Sequence, residues 1–246
     1  MRDAPLARLS QRLTELFAAE EFAAGFALGR HILRYYPRFL SVYQRMGLAA
    51  QSVGLFSDSV DLLQRAVSAN PEDGRAWRAL HLAAVKLDMH PDAEIAEQYA
   101  LDLDVAHPVD SDIARGHAAA ADHHWPDAYR LFRSGLEQHP ERMDAALGMA
   151  QSLYHLDHFD AAQSIARYVL QELPYALKAH LLILLTTRPT GQDNPVLLRH
   201  IRAVRGLDPL GELSQTWFAV PQLDAIFPAR PMIPAWDETE RWAYAR

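Results

Sequence analysis

The chain has 246 residues, half of them apolar, with a formal net charge of −7 and no cysteine. The lack of cysteine excludes disulfides, thiolate metal sites and a cysteine nucleophile. An acidic balance with only two lysines, Lys86 and Lys178, offers no basic face of the kind that displaces counterions from phosphates, so no nucleic-acid partner is expected.

The first residues, MRDAPLARLSQRLTEL, place Asp3 and several arginines where a secretory signal needs an apolar run. The most apolar stretch, Ala179 to Thr187, is far short of the ~20 residues that span a bilayer. The expectation is a soluble, cytoplasmic protein with no membrane span.

Prolines then fall at 37, 71, 108, 140, 174 and 209, with gaps of 34, 37, 32, 34 and 35 residues. Each closes one helical pattern and precedes the next, as proline does because it cannot donate the next hydrogen bond. Phe22, Phe56, Trp125 and Phe159 each stand fifteen residues before their proline. Three places on from these aromatics come Gly25, Ser59, Ala128 and Ala162, with Ala93 as the third unit's equivalent. A small residue lets two antiparallel helices approach closely, and an aromatic fills the space beside it. Glycines at Gly47 and Gly116 mark the first helix of their pairs, and Trp77 opens that of the third unit.

These residues resemble the tetratricopeptide repeat. In the second unit Tyr43, Gly47, Ser59, Leu63, Ala66 and Pro71 follow its pattern; in the fourth, Gly116, Ala128, Phe132, Gly135 and Pro140 do. The first unit departs from it at Gly29 and Ile32. The sixth lacks the aromatic and reaches its second helix through RPTGQDNP, with Asn194 as N-cap and Pro195 in the first turn. The resemblance implies an all-α, right-handed superhelical solenoid of about six antiparallel helix pairs. Twelve helices without β-sheet are expected over residues 6–209, within a repeat domain assigned to 1–209. Residues 210–246 form a separate Pro/aromatic-rich C-terminal segment that caps or docks. Within it PARPMIP reads as extended, and Asp237 with Glu240 reads as a capping box.

No GxGxxG, P-loop, GxSxG or HExxH motif occurs. His123-His124 and the His155–His158 pair read as surface or helix-end residues rather than metal ligands, and His90-Pro91-Asp92 as a helix start. No catalytic residue, metal or cofactor is therefore expected. The resemblance instead implies a concave groove lined by the first helix of each pair. Carried onto this chain, its positions are Gln44, Leu48 and Gln51; Arg75, Arg78, Leu82 and Lys86; Asp110, Ile113 and His117; and Asp144, Leu147, Gln151, Tyr154 and His155. Arg75, Arg78 and Lys86 are expected to share a face and attract acidic partner segments. The Lys and Asn set with which family members clamp a terminal carboxylate is not present. In the tail, Leu213, Trp217, Phe218 and Phe227 are expected to cap the last repeat. Met232, Ile233, Trp236 and Trp242 are expected to dock, either on a partner or on the convex face. The function that follows is a protein or peptide-binding scaffold or adaptor, with an accessory or regulatory subunit of an enzyme or secretion system as the alternative.

Overall fold

The computed structural model describes residues 3–107, 109–187, 194–227 and 230–236. Among these residues six helix pairs follow one another. They are α1 (Leu6–Ala18) with α2 (Phe22–Tyr35), α3 (Leu40–Ser52) with α4 (Phe56–Ala69), and α5 (Gly74–Lys86) with α6 (His90–Asp102). Then come α7 (Asp112–Ala121) with α8 (Trp125–Gln138), α9 (Met143–His155) with α10 (Phe159–Glu172), and α11 (Leu177–Thr186) with α12 (Pro195–Leu207). A short α13 (Glu212–Trp217) and a 3-10 turn at Pro221–Leu223 follow. In α1, Leu6, Leu9, Leu13 and Leu16 are all buried, the single stripe that helical periodicity requires of a one-sided helix.

The turn inside each of the first five pairs is the same device. Glu20, Gly54, Asp88, His123 and Asp157 have φ between 57° and 79° and stand two residues before the second helix. At each, the following N–H returns to a carbonyl five residues back, as from Glu21 to Leu16 and from Leu55 to Ala50. This is the Schellman closure, which satisfies carbonyls that a helix end leaves free. Glycine adopts the left-handed conformation without strain at Gly54, while the aspartates and His123 are among the side chains that tolerate it best. Asn194 accepts from Val196 N–H at 3.0 Å, the N-cap expected ahead of Pro195.

Close crossings occur where the small residues fall. Gly25, Ser59, Ala93, Ala128 and Ala162 are all buried, and Ser59 Oγ donates to Gly47 O at 2.9 Å across the α3–α4 crossing. Phe132 of α8 shows why a glycine is needed in the fourth unit and another in the fifth. A Cβ on Gly116 would stand 2.8 Å from its ring, and one on Gly148 would stand 2.4 Å from it. The ring fits between α7 and α9 only because both positions lack a side chain.

The stack does not stay open. One apolar cluster joins Leu40, Ala66 and Ala69 of the second unit to Leu147, Leu177 and Leu181 of the fifth and sixth, and to Phe218, Leu223 and Ile226 of the tail. Lys178, 5% exposed, pairs with Glu72 of the α4–α5 turn. It donates to Gln151 Oε1 at 2.7 Å and lies 4.9 Å over the Trp217 ring. Arg38 sits 4.6 Å over Tyr175. Arg45 reaches Ser10 Oγ at 2.8 Å on one side and Glu212 at 3.8 Å on the other. Asp208, buried, accepts from both the N–H and the Oγ of Ser214 at 2.8 Å and fixes the start of α13.

A two-stranded antiparallel sheet completes the closure. β1 (Asp3–Pro5) pairs with β2 (Met232–Pro234), Ala4 opposite Ile233. The extended reading of PARPMIP thus holds for its described part, and its pairing partner is the segment just ahead of the first repeat. Asp237 and Glu240 lie outside the described residues.

Ala128 has no exposed surface at its crossing. Ala128→Leu is expected to overpack α7 against α8 and cost about 1–3 kcal/mol, read as a lowered urea midpoint at unchanged slope.

Candidate partner-binding groove

Asp73 ties α3 to α5 beside an open pocket. Its side chain caps α5 by accepting from Ala76 N–H at 3.1 Å and also accepts from Gln44 of α3. Trp77 Nε1 donates to Pro71 O at 2.8 Å, and its ring stacks on Tyr99 at 4.2 Å. Between α3 and α5 this leaves a pocket of about 630 Å³, with Leu213 of the tail on one wall. Leu48, Leu103, Leu82 and Val105 line it, the last two 47% and 48% exposed.

Arg75 and Arg78 share the pocket wall, with Gln44 and Gln51, whereas Lys86 is exposed at the end of α5 and is not on the wall. Glu72, Asp73 and Asp104 line the same space, and Arg78 already pairs with Asp104 at 3.1 Å. The expected basic patch is therefore a mixed one.

The next stretch of presumed groove is taken up by a buried ionic cluster. Arg142, just ahead of α9, grips Asp144 with two hydrogen bonds of 2.9 and 2.7 Å and also binds Asp102 at the end of α6. His117 Nε2–H donates to Asp144 Oδ2 at 3.1 Å. Ser111 Oγ donates to Asp102 at 2.6 Å while capping α7, and the Arg142 guanidinium lies 4.1 Å over the Tyr99 ring. Burial alone would raise the Asp144 pKa, but the hydrogen bonds from His117 and Arg142 and the charge of Arg142 hold it at about 2. Burial and the Asp144 charge push the Tyr99 hydroxyl up to about 12.

This placement corrects several expected groove residues. Ile113 and Leu147 belong to the core, at 2% and 0% exposure. Gly135 has no side chain, and Ile113 fills the space where its Cβ would stand. His117 and Asp144 are committed to the ionic cluster. Gln151 is engaged by Lys178, and Tyr154 meets the edge of Phe218 at 5.4 Å. His155 stacks on Trp125 at 3.9 Å, and Asp110 stands free of the groove beside Arg115. Lys178 carried no local signal, because Glu72 and Gln151 lie far away along the chain, and the same distance hides the link from Arg142 to Asp102.

The tail residues divide similarly. Phe218 is buried at 2% exposure, with Leu213, Trp217 and Phe227 packed against the same cluster. They lie against the fifth unit as well as the sixth. Ile233 is buried on the first unit, where Trp236 also packs, so these two are intramolecular contacts rather than a free docking element. The carbonyl of Pro234 accepts from His31 Nε2 at 2.8 Å. Met232 is exposed, and Trp242 lies outside the described residues.

In the first five helix pairs the same left-handed turn recurs every 34 or 35 residues, and each pair crosses at a small residue, which defines the fold. This is a tetratricopeptide-like solenoid. No protein-family model and no curated protein matches the chain. Among solved structures the solenoid is similar to MamA, with 20% identity over 74% of this chain and 97% of that one and a TM-score of 0.36. It is also similar to YrrB, a tetratricopeptide protein with a peptide-binding site (13% identity, 76% and 96% covered, TM-score 0.37). PilF of Pseudomonas aeruginosa is another (14% identity, 87% and 96% covered, TM-score 0.37). The chain's own turns and crossings, not these superpositions, carry the assignment of the fold. Among the described residues no helix is long and apolar enough to cross a membrane.

Two titrations follow from the solenoid's buried groups. His180 Nε2–H donates to Pro174 O at 3.1 Å, so its Nδ1 accepts from His200 Nδ1–H at 2.7 Å. Burial, together with His200 and Arg199, lowers the His180 pKa to about 4, and burial with Arg199 and Arg167 lowers that of His200. A base with a depressed folded pKa stabilises fully above its unfolded value, ~6.5, and loses that stability as pH falls towards 4. Urea midpoints should therefore drop between pH 6.5 and 4, by on the order of 3 kcal/mol for His180. The drop should shrink when His180 and His200 are both glutamine. A second loss, from Asp144, should appear only as pH falls from ~4 towards 2.

Proposed function

We propose that the chain is a protein–protein interaction module that holds a segment of a partner protein in the pocket between α3 and α5. The observation that carries this reading is the pair Leu82 and Val105. Both are large apolar side chains about half exposed, on the wall of a pocket of about 630 Å³. Further along the concave side, core side chains, the Arg142 cluster and the tail occupy the expected groove positions. The partner segment contributes apolar side chains to Leu48, Leu82, Leu103 and Val105. A carboxylate on it meets Arg75, whose charge is not taken up by Asp104.

A photo-crosslinking residue at position 82 should capture a discrete protein partner from native lysate, and one at the exposed Glu94 on α6 should not. Leu82→Asp should weaken binding of that partner roughly tenfold to a hundredfold, the worth of one buried apolar side chain. Arg75→Glu should weaken it less, with an effect that fades as salt rises. Equal capture from both positions, or unchanged affinity in Leu82→Asp, contradicts the proposal.

A further inference from the structure

A second opening lies on the other side of the first two units, between their second helices α2 and α4. It encloses about 970 Å³, the size of a pocket that takes a substantial ligand. Its floor is apolar, with Phe22, Phe26 and Leu33 facing Met46, Leu55 and Leu62. Phe26, Leu33 and Leu62 also rest on the cluster that buries Ile233.

The charges on its rim are sorted by position. Glu20 and Glu21 precede α2, and Asp58 and Asp61 lie in the first half of α4. Arg30 and Arg65 stand further along the same two helices. The groove therefore has an acidic end and a basic end, with an apolar floor between them.

The chain leaves β2 beside the basic end. His31, which binds the Pro234 carbonyl at 2.8 Å, is the neighbour of Arg30, and Trp236 packs on the cluster that underlies the groove floor. Residues 237–246 read DETERWAYAR. Their carboxylates, Asp237, Glu238 and Glu240, come first, and Arg241 and Arg246 come later, with Trp242 and Tyr244 between the arginines. The order of charge is opposite to that of the rim met in the same direction.

We propose that residues 237–246 dock in this groove of their own chain, running from Arg30 and Arg65 towards the acidic end, with Trp242 on the apolar floor. Reach is sufficient. From Arg30 back to Glu21 is about 14 Å along α2 at 1.5 Å per residue, and ten extended residues span up to roughly 33 Å. Opposed charges at both ends fix the direction, and the aromatic supplies apolar contact, as in other segments that lie in helical grooves.

The absence of cysteine makes the test direct. Asp58→Cys, at an exposed position on the rim, takes a single bimane, which tryptophan quenches on contact. In the full chain the label is expected to be quenched, and Trp242→Phe or Arg241→Glu with Arg246→Glu should raise its fluorescence several-fold. A chain ended after Trp236 should show the same rise, and adding a synthetic peptide of residues 237–246 should restore the quenching. Unchanged fluorescence in Trp242→Phe overturns the proposal. Quenching that grows with protein concentration also overturns it, and assigns the groove to a second copy of the chain instead.

Discussion

A stack of helix pairs buries each pair against its neighbours, which leaves an apolar helix face uncovered at either end. In this chain one C-terminal segment meets both needs. Phe218, Leu223 and Ile226 cover the fifth and sixth units from inside the superhelix. Ile233, on a strand paired with residues 3–5, covers the first. Lys178 fastens the arrangement through Glu72, Gln151 and Trp217. An ammonium taken out of water at that cost is retained only where each of its donors finds a partner. The position of the open pocket follows from this closure, because the segment that fills the fifth unit's concave side stops short of the space between α3 and α5.

The joint between the third and fourth units depends on a different force. There the repeat spacing stretches to 37 residues, between Pro71 and Pro108, so helix follows helix less closely. Asp102 at the end of α6 is instead held to Ser111 at the start of α7 by their own hydrogen bond, and to the start of α9 through Arg142. Breaking such a cluster on one side leaves an unpaired buried charge, which costs about 3–5 kcal/mol. Replacing it with apolar side chains of matched volume need not cost anything. Its structural value lies in fixing the angle between units that the longer linker would leave free.

The parts of the fold that were legible in the sequence are the local ones. The proline period, the small residues at 25, 59, 93, 128 and 162, and the Asn194 cap all act within one helix pair, and their spacing follows directly from helical geometry. Of the expected groove positions, only residues of the second and third units line the open pocket. Ile113 and Leu147 were misplaced because exposure there is decided by Gly135 and by the sixth unit, not by position in the repeat. The tail's aromatics announced burial through their sheer apolar area. Their destination was hidden, since three-residue strands carry no periodicity and the pairing of Ala4 with Ile233 joins opposite ends of the chain.

The claim that the C-terminal segment is an integral part of the solenoid is tested most directly by ending the chain after Pro209 and following urea unfolding by circular dichroism. The deletion removes Phe218, Leu223, Ile226 and Ile233, all buried, at roughly 1.5–3 kcal/mol for each. That loss is comparable with the total stability of about 5–15 kcal/mol typical of a folded protein. The expected result is a chain that aggregates or unfolds with no cooperative transition. A truncated chain that unfolds cooperatively at the midpoint of the full one would contradict the account.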